Sequence, residues 1–309
     1  MSEQIQQDKN PQVWLAVLHY TGADLTRACL RSIEKLRYRP FEVLITDNCS
    51  PDASGKSLKE EFPNYHYQLT PENLGFAGGS NASLNYCIER GADWVWLLNN
   101  DTELDPDSLG LLLAEAEANV RAGILGASIY TPSGSGLHRS GTGQIDFMRG
   151  KTLERGAIDD SQKSIKCEWL SGCNMFFRAA AFKEVGGFDE KFFLYYEDTD
   201  LCLRMNEKNW QCLIVPAAKL THIVNASTQG RLAIWRSYYN IRNRLYFFSK
   251  VKKGLASLPS LFAIFAHVFR HCLVLPFRGK DGKRQLKAEL LGLRDFLSGR
   301  LGKADCLDF

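Results

Sequence analysis

Among the nine cysteines (29, 49, 87, 167, 173, 202, 212, 272 and 306) there is no CxxC pair, and none stands at zinc-ligand spacing with a histidine. That excludes the familiar structural zinc modules; an odd, scattered set in apolar segments reads as the reduced thiols of a cytoplasmic chain. The start, MSEQIQQDKNPQ, is polar and shows no secretory signal. No internal repeat is visible. The glycine-rich run from Asn73 to Asn81 is neither GxGxxG nor a P-loop, since no GK[ST] follows it. No nucleic-acid partner is expected. In the apolar tail the longest uncharged piece, Gly254 to Phe269, falls short of the ~20 residues a spanning helix needs.

What is present is an ordinary globular composition, 45% hydrophobic and 24% charged over 309 residues, with room for a sizeable core. The net charge of +3 hides an asymmetry. From Gly230 onward there are 16 Lys/Arg against 5 Asp/Glu, a balance of +11, leaving 22 against 30, or −8, in the first 229 residues. That split predicts an acidic catalytic part and a basic tail that meets something anionic.

The apolar run Trp94-Val95-Trp96-Leu97-Leu98 reads as a strand buried on both faces, and it stops at Asn99-Asn100-Asp101. Val13 to Leu18 and Phe41 to Thr46 are similar strands, ending in His19-Tyr20 and Asp47-Asn48-Cys49-Ser50. Helices are expected after Asp24, which would cap the first, through Asn85–Ile88, over Pro106–Ala122, and from Asp198 with Leu201, Met205 and Lys208 in step. Further strands are expected near Tyr65–Leu69, Gly123–Tyr130 and Cys212–Pro216, and residues 131–166 as loops and short antiparallel strands. Strands alternating with helices, each ending in a polar cluster, predict an α/β fold with a mostly parallel sheet that binds ligand at its carboxyl edge.

The expected organisation is a polar tail (1–11), a catalytic domain (12–229, divided at 130/131 into nucleotide-binding and acceptor-side parts), and a basic, apolar helical region (230–309). In that last region, Leu286, Leu290, Leu293, Leu297 and Leu301 make one stripe of a basic amphipathic helix. It would either pack on the protein or lie on an anionic membrane surface, placing the chain peripherally on the inner face of a bacterial membrane.

The set His19-Tyr20, Asp47-Asn48-Cys49-Ser50, Asn73-Leu74-Gly75-Phe76, Asn99-Asn100-Asp101 and Glu197-Asp198 resembles glycosyltransferase family 2, most closely the rhamnosyltransferase-like enzymes of bacterial surface-polysaccharide assembly. The resemblance covers about residues 12–250. It implies a GT-A fold and inverting, metal-dependent transfer of a sugar from a nucleoside diphosphate donor, here dTDP-rhamnose, to a glycan or lipid-diphosphate acceptor. It gives Asp101 and His222 to a Mg²⁺ or Mn²⁺ ion, and Asp198 to general base catalysis. It places His19, Tyr20, Asp47, Asn48, Asn73, Gly75, Asn81, Asn99 and Asn100 around the donor, and Trp169, Ser171, Gly172 and Glu197 on the sugar and acceptor side. The sequence departs from the usual Asp-x-Asp motif at Asn99, which removes one acid. Without the family, Asp101 still makes chemical sense, because a hard cation held by oxygen ligands offsets charge developing on a diphosphate leaving group.

Three alternatives stand beside this reading. One is a UDP-hexose or UDP-galactofuranose transferase of the same fold. A sugar-1-phosphate nucleotidyltransferase would want a glycine-rich, basic loop where His19-Tyr20-Thr21-Gly22 stands. An inactive glycan- or lipid-binding module is kept open by Asn99.

Overall fold

A computed structural model describes residues 11–131, 138–223, 231–251 and 254–304. In chain order the elements are β1 (Val13–His19), α1 (Ala23–Glu34), β2 (Glu42–Asp47), α2 (Ser54–Glu61), β3 (His66–Leu69), α3 (Gly75–Glu89), β4 (Trp94–Asn99), β5 (Thr102–Leu104), α4 (Ser108–Ala118) and β6 (Ala122–Tyr130). Short strands follow: β7 (His138–Arg139), β8 (Thr142–Asp146), β9 (Lys151–Glu154), β10 (Ile165–Lys166) and β11 (Trp169–Leu170). Then come β12 (Asn174–Arg178), α5 (Ala179–Val185), α6 (Glu197–Glu207), β13 (Gln211–His222), α7 (Arg231–Val251), α8 (Leu258–Val274) and α9 (Gly279–Leu297).

The main sheet runs β10-β13-β6-β12-β4-β1-β2-β3, with β5 added to β13 and β7 to β6. Its β4-β1-β2-β3 half is parallel, as is the β6–β13 pair, while β12 inserts antiparallel between β4 and β6. Every residue of β1 is buried, as continuous apolar strands require when both faces are covered. One face packs Cys29, Leu30 and Ile33 of α1, Leu58 of α2 and Leu112 of α4 onto the sheet. The other packs Leu84 and Cys87 of α3, Phe182 of α5 and Met205 of α6. This is the mixed, mostly parallel sheet flanked by helices that the alternating pattern predicts.

Several boundaries differ from expectation for local reasons. Asp24 does not cap α1; a left-handed Gly22 precedes the helix, and the Asp24 carboxylate accepts from Arg27 at 2.7 Å instead. Most of the glycine-rich run lies inside α3, whose small residues at 77–80 are buried against the sheet. Helix α4 is shorter than Pro106–Ala122 and leaves Ala122 to open β6. Strand β13 continues past Pro216 to His222, with a register shift between Val215 and Lys219 accommodating the missing N–H. The 229/230 boundary lies outside the described residues.

In the C-terminal region α9 packs on α7 so closely that a Cβ at Gly292 would stand 2.6 Å from the Tyr238 carbonyl oxygen. The buried face of α9 is Ala288, Glu289, Gly292 and Asp295, not the leucines. Leu290 and Leu297 of the stripe are exposed, and Leu301 lies beyond the helix end. Helix α8 likewise turns Phe262, Phe265, Phe269 and Leu273 outward. Although its charge-free piece is short, the helical run Leu258–Phe277 has 20 residues and a mean hydropathy of 1.6, enough by length and composition to cross a bilayer, and 22% of it is buried.

Candidate active site

Strand β4 emerges from the core at Asn99, and the chain turns through Asn100 and Asp101 before β5 begins. Because β5 pairs antiparallel with the end of β13, His222 lies opposite Thr102, next to Asp101. The His222 Nε2 atom is 3.0 Å from Asp101 Oδ1, and the Ile223 amide donates to the Asp101 carbonyl at 2.9 Å. Both side chains are half-buried. One carboxylate oxygen and one imidazole nitrogen ~3 Å apart could together hold a divalent cation such as Mg²⁺ or Mn²⁺.

The second carboxylate comes from the start of α6. Asp198 Oδ2 accepts from the Gly172 amide at 3.0 Å, and Oδ1 accepts from the Thr199 amide at 2.6 Å and the Thr199 hydroxyl at 3.2 Å. Burial raises its pKa above the ordinary Asp value, with these hydrogen bonds working in the opposite sense. Its neighbours have different fates. Asp200, buried, is held by Arg204 and Lys250 at 2.8 Å each. Glu197 is also buried; its Oε2 meets no hydrogen-bond partner, and burial together with Asp198 lifts its pKa well above the usual range. Burial thus opposes the charged form of Glu197, Asp200 is paired with two cations, and Asp198 is the acid whose charged form three hydrogen bonds favour.

The two carboxylates are joined by backbone. The Asn99 amide donates to the Cys173 carbonyl at 3.0 Å, and one residue earlier Gly172 grips Asp198. The Cys173 thiol, buried between them, is pushed up to about 12, chiefly by burial and further by Asp101 and Asp198. Behind it, the buried Asn174 amide exchanges hydrogen bonds with both the Ala127 carbonyl and amide, at 2.7 and 3.0 Å, fixing β12 against β6.

Other residues expected at the donor side are engaged within the chain. His19 is fully buried, its two ring nitrogens 2.8 Å from the Thr26 and Ser54 hydroxyls. Burial lowers its pKa, with Asp47 and Asp52 working in the opposite sense. The Asp47 carboxylate is buried and accepts from the Ser50 amide, the Ser50 hydroxyl and Tyr67. Asn48 braces the Asn73–Gly75 turn, donating to the Gly75 carbonyl at 2.9 Å and accepting from the Leu74 amide at 3.1 Å. Asn73 accepts from the Gly75 amide. Asn81 exchanges bonds with the Phe188 amide and carbonyl, and Asn100 donates to the Thr21 carbonyl. Tyr20 and Asn99 retain exposed or half-exposed surface near this edge. On the acceptor side Ser171 and Trp169 are half-buried; the Trp169 indole donates to the Gln144 carbonyl.

What sequence reasoning missed is the brace beneath Asp198. Phe193, Tyr195 and Tyr196 all take left-handed φ values of 62°, 71° and 73° without being glycine. The fully buried Asn243 of α7 donates to the carbonyls of Phe192, Leu194 and Tyr195 at 2.8, 2.7 and 2.9 Å. Arg242, also buried, donates to the Asn243 Oδ1 and to the Phe192 carbonyl, which sets the amide's orientation. Gly75 belongs to the same knot: its φ is +70°, a Cβ there would lie 2.4 Å from the Phe193 oxygen, and that oxygen accepts from Phe76 at the start of α3. The aromatic-basic composition of 231–253 was the only available signal.

The chain matches the family described as "Glycosyl transferase family 2" over residues 15–186, and "N-terminal domain of galactosyltransferase" over residues 156–226. It is 31% identical over 232 residues to the N-acetylglucosaminyl-diphospho-decaprenol L-rhamnosyltransferase of Mycobacterium tuberculosis, covering 67% of this chain and 74% of that one. It is 22% identical over 279 residues to the dTDP-rhamnosyl transferase RfbF of Shigella flexneri, covering 87% and 90%. Among solved structures, GalNAc-T7 with UDP, GalNAc and Mn²⁺ superposes with a TM-score of 0.60 at 12% identity. That likeness covers 82% of this chain and about half, 54%, of the other, and it concerns the fold.

Proposed function

The chain belongs to glycosyltransferase family 2, and from that premise we propose that it is an inverting, divalent-metal-dependent enzyme moving rhamnose from dTDP-rhamnose to a surface glycan or its lipid-diphosphate precursor. The observation that carries the mechanism is the setting of the three acids on α6: Asp200 is paired with Arg204 and Lys250, burial opposes ionisation of Glu197, and Asp198 is held by Gly172 and Thr199 donors that favour its charged form. Asp198 accepts the proton of the attacking acceptor hydroxyl while Gly172 and Thr199 hold the carboxylate in place. Asp101 and His222 would hold Mg²⁺ or Mn²⁺, whose contribution when bound is to offset charge on the departing nucleoside diphosphate. Asn99 leaves this pair with a single carboxylate.

Rhamnose and a lipid-diphosphate acceptor are supported by the names of the two relatives. The galactosyltransferase-domain match favours a UDP-hexose as the second reading. A panel of nucleotide sugars with each metal tests both: dTDP release from dTDP-rhamnose is expected, and UDP release alone would transfer the assignment to the second reading. Asp198→Asn is expected to cut transfer by ~10³-fold while sparing donor binding. Metal-dependent transfer surviving in Asp101→Ala would refute the metal assignment.

The exposed Phe262, Phe269, Leu290 and Leu297, with basic residues around them, support an in-plane membrane association of α8 and α9. Flotation with vesicles of anionic lipid is expected to carry the full chain, with Phe262→Asp/Phe269→Asp left behind. Equal flotation of both would refute it.

A further inference from the structure

The C-terminal helices contain a cluster that the transfer reaction does not use. His267 and His271 are four residues apart on α8, so their imidazoles share one face, with ring centroids 4.1 Å apart. Glu289 of α9 reaches the same point: His271 Nδ1 is 2.8 Å from Glu289 Oε2 and 3.0 Å from Oε1. One ligand atom from each of the three residues lies within 4.8 Å of the others. Glu289 is only 3% exposed, in a helix face otherwise made of Ala288, Gly292 and Asp295, and a carboxylate so placed needs a cationic partner.

We propose that His267, His271 and Glu289 bind a Zn²⁺-type divalent cation that clasps α8 to α9, at a site separate from the sheet edge. Two imidazoles and one carboxylate form a ligand set that zinc takes readily, with water in the fourth position, whereas Mg²⁺ and Ca²⁺ prefer oxygen throughout. An ion would draw the ligand atoms to about 3.3 Å apart, within reach of side-chain rotation. Gln285, one turn before Glu289, donates to its Oε1 at 2.9 Å and so orients the carboxylate from outside the ligand set. Arg244 and Arg270 stand near His267. Those two arginines mean that binding comes from ligand bonds rather than from a locally negative field. The ion would hold α8 in the orientation that turns Phe262 and Phe269 outward.

The test uses full-length chain stripped of metal and titrated with Zn²⁺, with Co²⁺ as a spectroscopic probe. To separate the site from Asp101 and His222, the titration is repeated in Asp101→Asn, which is expected to keep one equivalent and the visible absorption of four-coordinate Co²⁺. His267→Gln and Glu289→Gln, each made in that background, are expected to lose that equivalent, and Gln285→Ala to weaken it by about 10-fold. Zn²⁺ is also expected to raise the Tm of Asp101→Asn but not that of Asp101→Asn/His267→Gln. Folding of each variant is checked by circular dichroism, and Gln285→Ala keeps the proposal testable if a ligand variant fails to fold. No retained equivalent in Asp101→Asn, or an equivalent undiminished by His267→Gln, would overturn the proposal.

Discussion

Replacing Asn243 by aspartate exchanges one amide group for a carboxylate of the same shape, and the structure assigns that change a large effect. The amide faces three carbonyl oxygens at 2.7–2.9 Å. Phe192 keeps a donor from Arg242, but Leu194 and Tyr195 would be left facing another acceptor. Two half-buried carbonyls without donors cost up to about 1–3 kcal/mol each. The segment they anchor holds three non-glycine residues in the left-handed region, each unfavourable by roughly 1–2 kcal/mol. With its brace removed that strain has a route to relax, and Asp198 begins two residues after the last of them. We therefore expect Asn243→Ala to lower unfolding free energy by about 3–5 kcal/mol, a large share of the roughly 5–15 kcal/mol a domain has. Asn243→Asp, adding carboxylate–carbonyl repulsion, should fall further. The assay is urea unfolding of all three proteins, alongside kcat and donor KM at a temperature where each is folded. If Asp198 is the base proposed above, activity loss should appear mainly in kcat, because Asp198 is displaced while the residues around Asp47 are not. An Asn243→Asp protein within ~1 kcal/mol of the parent, or one losing only donor affinity, would refute the reasoning.

Three further outcomes follow from the same geometry. Glu197→Gln should be tolerated structurally, since burial and Asp198 already oppose the charged form of the native side chain; because a raised folded pKa means stability lost as pH climbs above the unfolded value, the variant should unfold with less pH dependence above about 4.5, read by urea midpoints from pH 4 to 8. Asp198, whose pKa is raised less, must ionise to act, so the acid limb of kcat should lie above the ordinary Asp value of 3.8, checked by a pH–rate profile. Gly75→Ala should destabilise by more than the ~1 kcal/mol of a simple left-handed penalty, because its Cβ meets the Phe193 oxygen; a Tm equal to the parent's would refute this.

The strands with unbroken apolar runs were legible because both their faces are buried, and β1, β2 and β4 lie within a residue or so of their expected bounds. The pairing of Asp101 with His222 was foreseeable only by resemblance, since they are 121 residues apart and meet through β5–β13 register. Asn48, Asn73, Asn81 and Asn100 carry the same donor and acceptor groups whether they face a nucleotide or a loop carbonyl, and here they are engaged with loops. Asn243 escaped notice for the opposite reason: its partners are backbone atoms some fifty residues earlier, which no spacing rule reaches. The leucine stripe of α9 was periodic as expected, but periodicity cannot say which stripe faces the protein when glycine and alanine permit a closer approach on the other side.

The three acids that begin α6 have a consequence for the molecule that must approach them. Fully ionised, they would confront a nucleoside diphosphate with three negative charges. As the structure arranges them, Asp200 is matched by Arg204 and Lys250, and burial beside Asp198 opposes ionisation of Glu197, so the incoming phosphates meet a weaker negative field than three free carboxylates would make. The site can keep a base beside an anionic substrate without an electrostatic field that turns the substrate away.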